Sequence, residues 1–280
     1  MKIMPRAHRY FQYLNSSADL SGCFHDISPG YIWHITHRCH KQEYLLKFSR
    51  DRRRWLYWLF EAKKRYGLKV LNYVVTSNHI HLLVQDTGNM VIPRSLQLIA
   101  GRTAWEYNFR KKRKGAFWED RYHATAVDTD EHLFSCLVYI DLNMVRAGVV
   151  GHPLEWMHGG YRELQSPPQR YRIMEISALM KLCGVENFQE LQNQRRIWLD
   201  NELARGIPQR DEVWSRHIAV GSRVFVEGIN TAFSTLSKTG NIIEQDGKYI
   251  LKEVSGGYNA VFRGKMDGLS LRNTLKLDIY

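Results

Sequence analysis

Two short runs rich in β-branched and aromatic residues, 69–75 (KVLNYVV) and 80–85 (IHLLVQ), are parted by only a few residues around Ser77-Asn78. A gap this short joins strands as a hairpin, and a hairpin commits its neighbours to one sheet. On its N-terminal side Ser49 and Asp51 offer start signals for a helix running to about Tyr66, with Leu56, Leu59, Phe60 and Lys63 at helical spacing and Gly67 as its stop. On its C-terminal side Pro93 stands near the start of a second helix that runs to about Arg110.

Outside this unit lie two more strands. Residues 31–39 (YIWHITHRC) place Tyr31, Trp33, Ile35 and His37 on one face, and 123–127 (HATAV) is a short fourth strand. Asp128 or Thr129 can cap a following helix over about 130–145, closed by Gly148. The order is β-α-β-β-α-β and then a helix. It predicts an α+β fold of the ferredoxin-like split βαβ kind, an antiparallel sheet with helices on one face. Gly159-Gly160 and Ser166-Pro167-Pro168 punctuate the chain after about 150, so residues 1–160 read as one domain and 165–280 as an appendage. The appendage reads as mainly helical, over about 174–182, 186–205 and 220–233. One hairpin about Asp246-Gly247 falls within 242–251.

Composition narrows the class of partner. Apolar residues make up 44% of the 280, enough for a packed core, and the formal charge is +12. A surplus of that size favours a polyanion. No run approaches the ~20 apolar residues of a spanning helix, and no apolar run follows the basic N-terminal residues, so neither a membrane span nor a signal peptide is expected. Cys23, Cys39, Cys136 and Cys183 are scattered without a CxxC pair. That predicts no disulfide or zinc-thiolate site and a cytoplasmic, nucleoid-associated location.

Three groups of residues can carry chemistry. His79 and His81 stand two apart on a strand, so both imidazoles leave the same face and can share one divalent metal. As a bare pattern the pair more often describes two polar residues on a half-exposed strand. Tyr139 and Asn143, four apart on a helix, also share a face, although a lone tyrosine in an apolar helix is more often core. Between 102 and 121 lies a belt of Arg102, Trp105, Tyr107, Arg110, Lys111, Lys112, Arg113, Lys114, Phe117, Trp118 and Arg121. Its cations can follow a phosphate backbone and its rings can stack on unpaired bases. Arg50, Arg52, Arg53 and Arg54 form a second basic cluster. His34, His37 and His40 read as structural or DNA-facing, and Asp141 points off the Tyr139 face.

Taken in order, Met4-Pro5-Arg6, YIWHITHRC, VVTSNHIHLLV (74–84), FWEDRY (117–122) and YIDLNMVRAGVV (139–150) resemble the IS200/IS605-like Y1 (HUH) transposases. Within that family they resemble the REP-associated tyrosine transposases of bacteria. The resemblance covers about residues 1–165. It departs at Met144, where the family has proline, and at Asn143, where IS200-type members often carry glutamine. It implies a transposase that cuts and rejoins single-stranded DNA beside hairpins, as monomer or homodimer. It implies Tyr139 as the nucleophile, a 5′-phosphotyrosine intermediate, and Mg²⁺ or Mn²⁺ held by His79, His81 and Asn143. Arg102, Arg110, Lys111, Lys112, Arg113, Lys114, Trp118 and Arg121 are the DNA-binding candidates. The alternative is a non-catalytic single-stranded nucleic-acid-binding module on the same kind of sheet. Such a module has no need of Tyr139.

Overall fold

The structure, a computed structural model, describes residues 30–206, 211–234 and 240–253. The Met4-Pro5-Arg6 match and Cys23 lie outside the described residues. The chain forms β1 (Ile32–Arg38), α1 (Ser49–Tyr66), β2 (Lys69–Val75), β3 (His79–Gln85), α2 (Val91–Lys111), β4 (His123–Val127), α3 (Glu131–Asp141) and a short α4 (Asn143–Arg146). It continues with α5 (Gly160–Gln165), α6 (Ile176–Cys183), α7 (Phe188–Ala204), α8 (Val213–Arg216), β5 (Ala219–Gly221), α9 (Arg223–Ser234), β6 (Gly240–Gln245) and β7 (Lys248–Glu253).

The first four strands lie in the order β2-β3-β1-β4 and every pairing among them is antiparallel. That is the split βαβ arrangement the element order predicts. The crossover helices α1 and α2 cover one face, that of Trp33, Ile35 and His37. Trp118 marks the contact: its ring stacks on His37 at 4.0 Å, and its Nε1 donates to Ala100 O on α2. In α1 the buried stripe is Trp55, Trp58, Leu59 and Ala62, with Leu56 and Phe60 only partly buried. Gly67, at φ 73°, ends the helix in the left-handed region. The opposite face, with His34, His79 and His81, is covered by α3.

The region beyond 165 is not only helical. Strands β5, β7 and β6 extend the same sheet past β4, with β5 parallel to β4 and the β6–β7 hairpin turning on Asp246-Gly247. A bare four-stranded sheet would leave β4 an open edge of unpaired N–H and C=O groups. Here Ala126 N donates to Ile218 O at 2.8 Å and Asp128 N to Val220 O at 3.0 Å. The other edge, β2, is partly closed by Val75 N donating to His158 O and Glu175 N donating to Val70 O. Asp128, expected as a helix cap, instead accepts from Ser222 N and Oγ at 2.9 and 2.6 Å, while α3 starts after Asp130 without a side-chain cap. The helix expected over 130–145 is divided at Leu142 into α3 and α4.

Cys39, Cys136 and Cys183 are buried free thiols, and among the described residues no helix is long and apolar enough to cross a membrane. Strand β1 buries a histidine on each face. Burial pushes His34 down to about 3 and His37 down to about 4. The unfolded chain, whose histidines titrate near 6.5, takes up those protons first as pH falls. Stability present above about pH 6.5 is therefore lost progressively toward about pH 4. Urea midpoints measured between about pH 7.5 and 4.5 should fall in this window. The His37→Gln variant, which keeps a donor for the Asp120 carbonyl that His37 Nε2 bonds at 2.9 Å, should flatten the slope; an unchanged slope would remove His37 from the account.

Candidate active site

Strand β3 carries His79 and His81 on one face, and β1 lies beside it with Thr36 opposite His81 and Arg38 opposite His79. The two imidazoles meet edge to face with centroids 5.0 Å apart. His79 is partly exposed, His81 only 2%. The turn before β3 fixes the first ring. His79 Nδ1 lies 2.7 Å from Asn78 Oδ1 and 3.0 Å from Thr76 Oγ1, and the Thr76 hydroxyl also donates to His79 O at 2.8 Å. With Nδ1–H donated to Asn78, Nε2 is the basic nitrogen of His79, the form a metal ligand takes. His81 Nδ1 lies 2.9 Å from His34 Nε2, and His81 Nε2 lies 3.0 Å from the Asn143 side-chain amide. His34 Nδ1 in turn bonds Trp214 O at 2.6 Å.

The helical spacing of Tyr139 and Asn143 brings both to this face. The Tyr139 ring stands edge-on to His81 and His34, with centroids 5.7 and 6.0 Å away. The Arg146 guanidinium lies 4.3 Å over the Tyr139 ring and donates to Tyr139 O at 2.5 Å. The Trp214 indole tilts toward the same ring at 6.3 Å. Asp141 points away as expected. It is buried, accepts from Asn72 Nδ2 at 2.8 Å and pairs with the buried guanidinium of Arg195 on α7. Thus the His79, His81, Tyr139 and Asn143 side chains of the sequence reading converge. Among the described residues no three His, Cys, Asp or Glu side chains gather as a metal cluster; the candidate set is two imidazoles and an amide.

The basic belt sits at the same end of the sheet as His79. Helix α2 runs back from the end of β3 toward the start of β4, so its C-terminus arrives there. Leu46 N bonds Ser77 O, Asn78 Nδ2 bonds Gln42 O and His40 N bonds Phe117 O, which ties the flanking loops together. Lys112, Lys114 and Arg121 are exposed. Lys111 lies over the exposed Phe48 ring at 5.5 Å, and exposed Arg102 over Trp58 at 5.4 Å. Arg110 is spoken for by Asp51, and Arg113 by Ala116 O and Glu43. Trp118 is a correction. At 7% exposure, stacked on His37 and with its indole N–H satisfied, it is core and presents no face to a base. The exposed rings of the belt are instead Trp105 and Phe109, four apart on α2 and stacked at 5.6 Å.

The sequence reading missed His34 as a contact of His81, Thr125, and Trp214. Alternation alone puts His34 on the face opposite His37, which is a usable signal. The pairing of β1 with β3 that brings it to His81 is not written locally.

Residues 29–143 match the family model described as "Transposase IS200 like". The matched stretch contains His34, His79, His81, Tyr139 and Asn143. A solved structure described as that of a REP-associated tyrosine transposase bound to a REP hairpin is similar at 16% identity and a TM-score of 0.42. The alignment covers 54% of this chain and 92% of that one. No curated protein matches the chain.

Proposed function

We propose, from the match of residues 29–143 to the IS200-like transposase model, that the chain is a metal-dependent single-stranded DNA endonuclease and strand-transferase acting beside hairpins. The observation that carries this reading is the meeting of His79, His81, Asn143 and Tyr139 on one face of the sheet. The donors suit a divalent ion. Two imidazoles with centroids 5.0 Å apart and a carboxamide 3.0 Å from one of them offer nitrogen and oxygen donors, and a half-turn of the Asn143 amide replaces Nδ2 by Oδ1 without moving its neighbours. When bound, Mg²⁺ or Mn²⁺ would polarise the scissile phosphate and stabilise charge on the leaving oxygen.

The chain's own groups do the rest. His79 and His81 hold their basic nitrogens toward the shared position through partners on their Nδ1 atoms. The Tyr139 oxygen attacks phosphorus, an O–P bond forms, and the bond from phosphorus to the 3′ oxygen breaks. A 5′-phosphotyrosine and a 3′-hydroxyl result, with the phenolic proton passing to solvent and the 3′ oxygen taking one. Storing the phosphodiester in that bond permits rejoining by the reverse attack. Tyr139 is 5% exposed, so a phosphate reaches its hydroxyl only as a neighbouring group shifts. The exposed cations of the belt hold the backbone leading to this end of the sheet.

The test is incubation of labelled hairpin-bearing single-stranded DNA with Mg²⁺ or Mn²⁺ followed by a denaturing protein gel. A labelled protein band that EDTA abolishes supports the proposal. Tight DNA retention with no band under any of these conditions would favour the binding module. The belt has its own readout: removing Lys111, Lys112 and Lys114 together should weaken binding to all sequences alike. The log–log salt dependence should become shallower by about 2, at ~0.7 per lost phosphate contact. An unchanged slope would place the DNA elsewhere.

A further inference from the structure

We propose that His34 is a positioning residue that, anchored on the main-chain carbonyl of Trp214, fixes His81 in its Nδ1–H tautomer and so presents His81 Nε2 as the ligand nitrogen. The consequence for metal binding rests on the nuclease reading above; the tautomer itself does not.

The chain of hydrogen bonds through His34 and His81 has one unambiguous end. A carbonyl oxygen can only accept, so the 2.6 Å contact to Trp214 O puts the proton on His34 Nδ1. A neutral imidazole carries one N–H, so His34 Nε2 holds a lone pair. The atom 2.9 Å from it, His81 Nδ1, must then donate. His81 Nε2 is left with the lone pair, 3.0 Å from the Asn143 amide. The opposite tautomer of His81 would need a donor at His34 Nε2 and therefore an imidazolium at His34. That cation would sit at a site with no exposed surface, which is costly. The two ring planes are within 6° of parallel with centroids 5.1 Å apart, a side-by-side arrangement that keeps the bond in line.

The anchor is built, too. The Thr125 hydroxyl lies 2.7 Å from His217 O and 3.3 Å from Trp214 O, and His123 Nε2 lies 3.1 Å from His217 O. These contacts pin the segment that joins α8 to β5 against β4. Trp214 and His217 lie beyond residues 29–143. The C-terminal part of the chain therefore supplies a piece of the site through a main-chain atom, which residue identity at 214 does not reveal.

The experiment is a two-bond ¹H–¹⁵N correlation spectrum of the metal-free, full-length protein labelled in histidine, with manganese affinity measured on the same samples. In the wild type, His34 and His81 should both show the Nδ1–H pattern, and the His34 Nδ1 proton should exchange slowly. The His34→Gln variant places a carboxamide oxygen near the old Nε2 position and should keep both the His81 tautomer and the Mn²⁺ affinity, within about threefold. The His34→Phe variant keeps a flat ring at that position but removes the acceptor. Its His81 should move toward the Nε2–H form, and Mn²⁺ affinity should fall about tenfold or more. Wild-type His81 in the Nε2–H form overturns the proposal without any variant, so a misfolded substitution leaves the question decided. An unshifted His81 in the His34→Phe protein also overturns it. A covalent adduct that never forms, beside the expected spectra, would sink the nuclease reading and leave the relay standing.

Discussion

Tyr139→Phe leaves hairpin DNA bound within about twofold of the wild-type affinity and lowers cleavage by at least about 10³-fold, with no labelled adduct on a denaturing gel. The substitution removes one oxygen and nothing else. The ring that stands edge-on to His34 and His81 and beneath the Arg146 guanidinium is retained, and so is the main-chain carbonyl that Arg146 bonds. His79, His81, Asn143 and the belt are untouched. Loss of a single hydrogen-bonding hydroxyl costs folding stability on the order of 1 kcal/mol, so an intact melting transition separates lost chemistry from lost structure. Without the phenolic oxygen no phosphotyrosine can form, and any remaining cleavage must use water and yield no protein-linked product. Wild-type cleavage by this variant would sink the covalent mechanism. Cleavage retained without an adduct would turn the site into a hydrolase.

Much of this site is legible in sequence because it rests on local periodicity. His79 and His81 share a face because strands alternate, and Tyr139 and Asn143 share one because helices repeat near four. The Ser77-Asn78 turn fixes the hairpin, and the helices on either side fix the split βαβ order. What is not legible depends on register and on distant segments. Nothing near His34 says that Thr36 lies opposite His81, or that Trp214, 180 residues later, offers its carbonyl. Ala219–Gly221 is three residues long, too short to show a period, yet it turns β4 from an edge into an interior strand. Trp118 reads as a surface ring among cations; the stacking on His37 that buries it is a tertiary event.

The other large effect is one of stability and lies two residues from Tyr139. Asp141 and Arg195 are each 1% exposed in their side chains and pair across α3 and α7. Asp141 also accepts from Asn72 Nδ2. Asp141→Ala leaves the Arg195 charge without a counter-ion in a buried setting and the Asn72 amide short of an acceptor, so unfolding free energy should fall by about 3–5 kcal/mol. Removing both charges is different in kind. A buried pair carries a desolvation cost for each ion, so Asp141→Leu combined with Arg195→Met should recover much of the loss. Urea denaturation of Asp141→Leu, Arg195→Met and the double variant reads the coupling directly. A loss below about 1 kcal/mol for Asp141→Ala would mean that water reaches the pair and screens it. The double variant also distinguishes architecture from chemistry. Were Asp141 the base that activates Tyr139, a stable double variant would fold and form no adduct. If its part is to clamp the tyrosine helix to α7, the same protein folds and still links to DNA, as the direction of Asp141 away from the Tyr139 face requires.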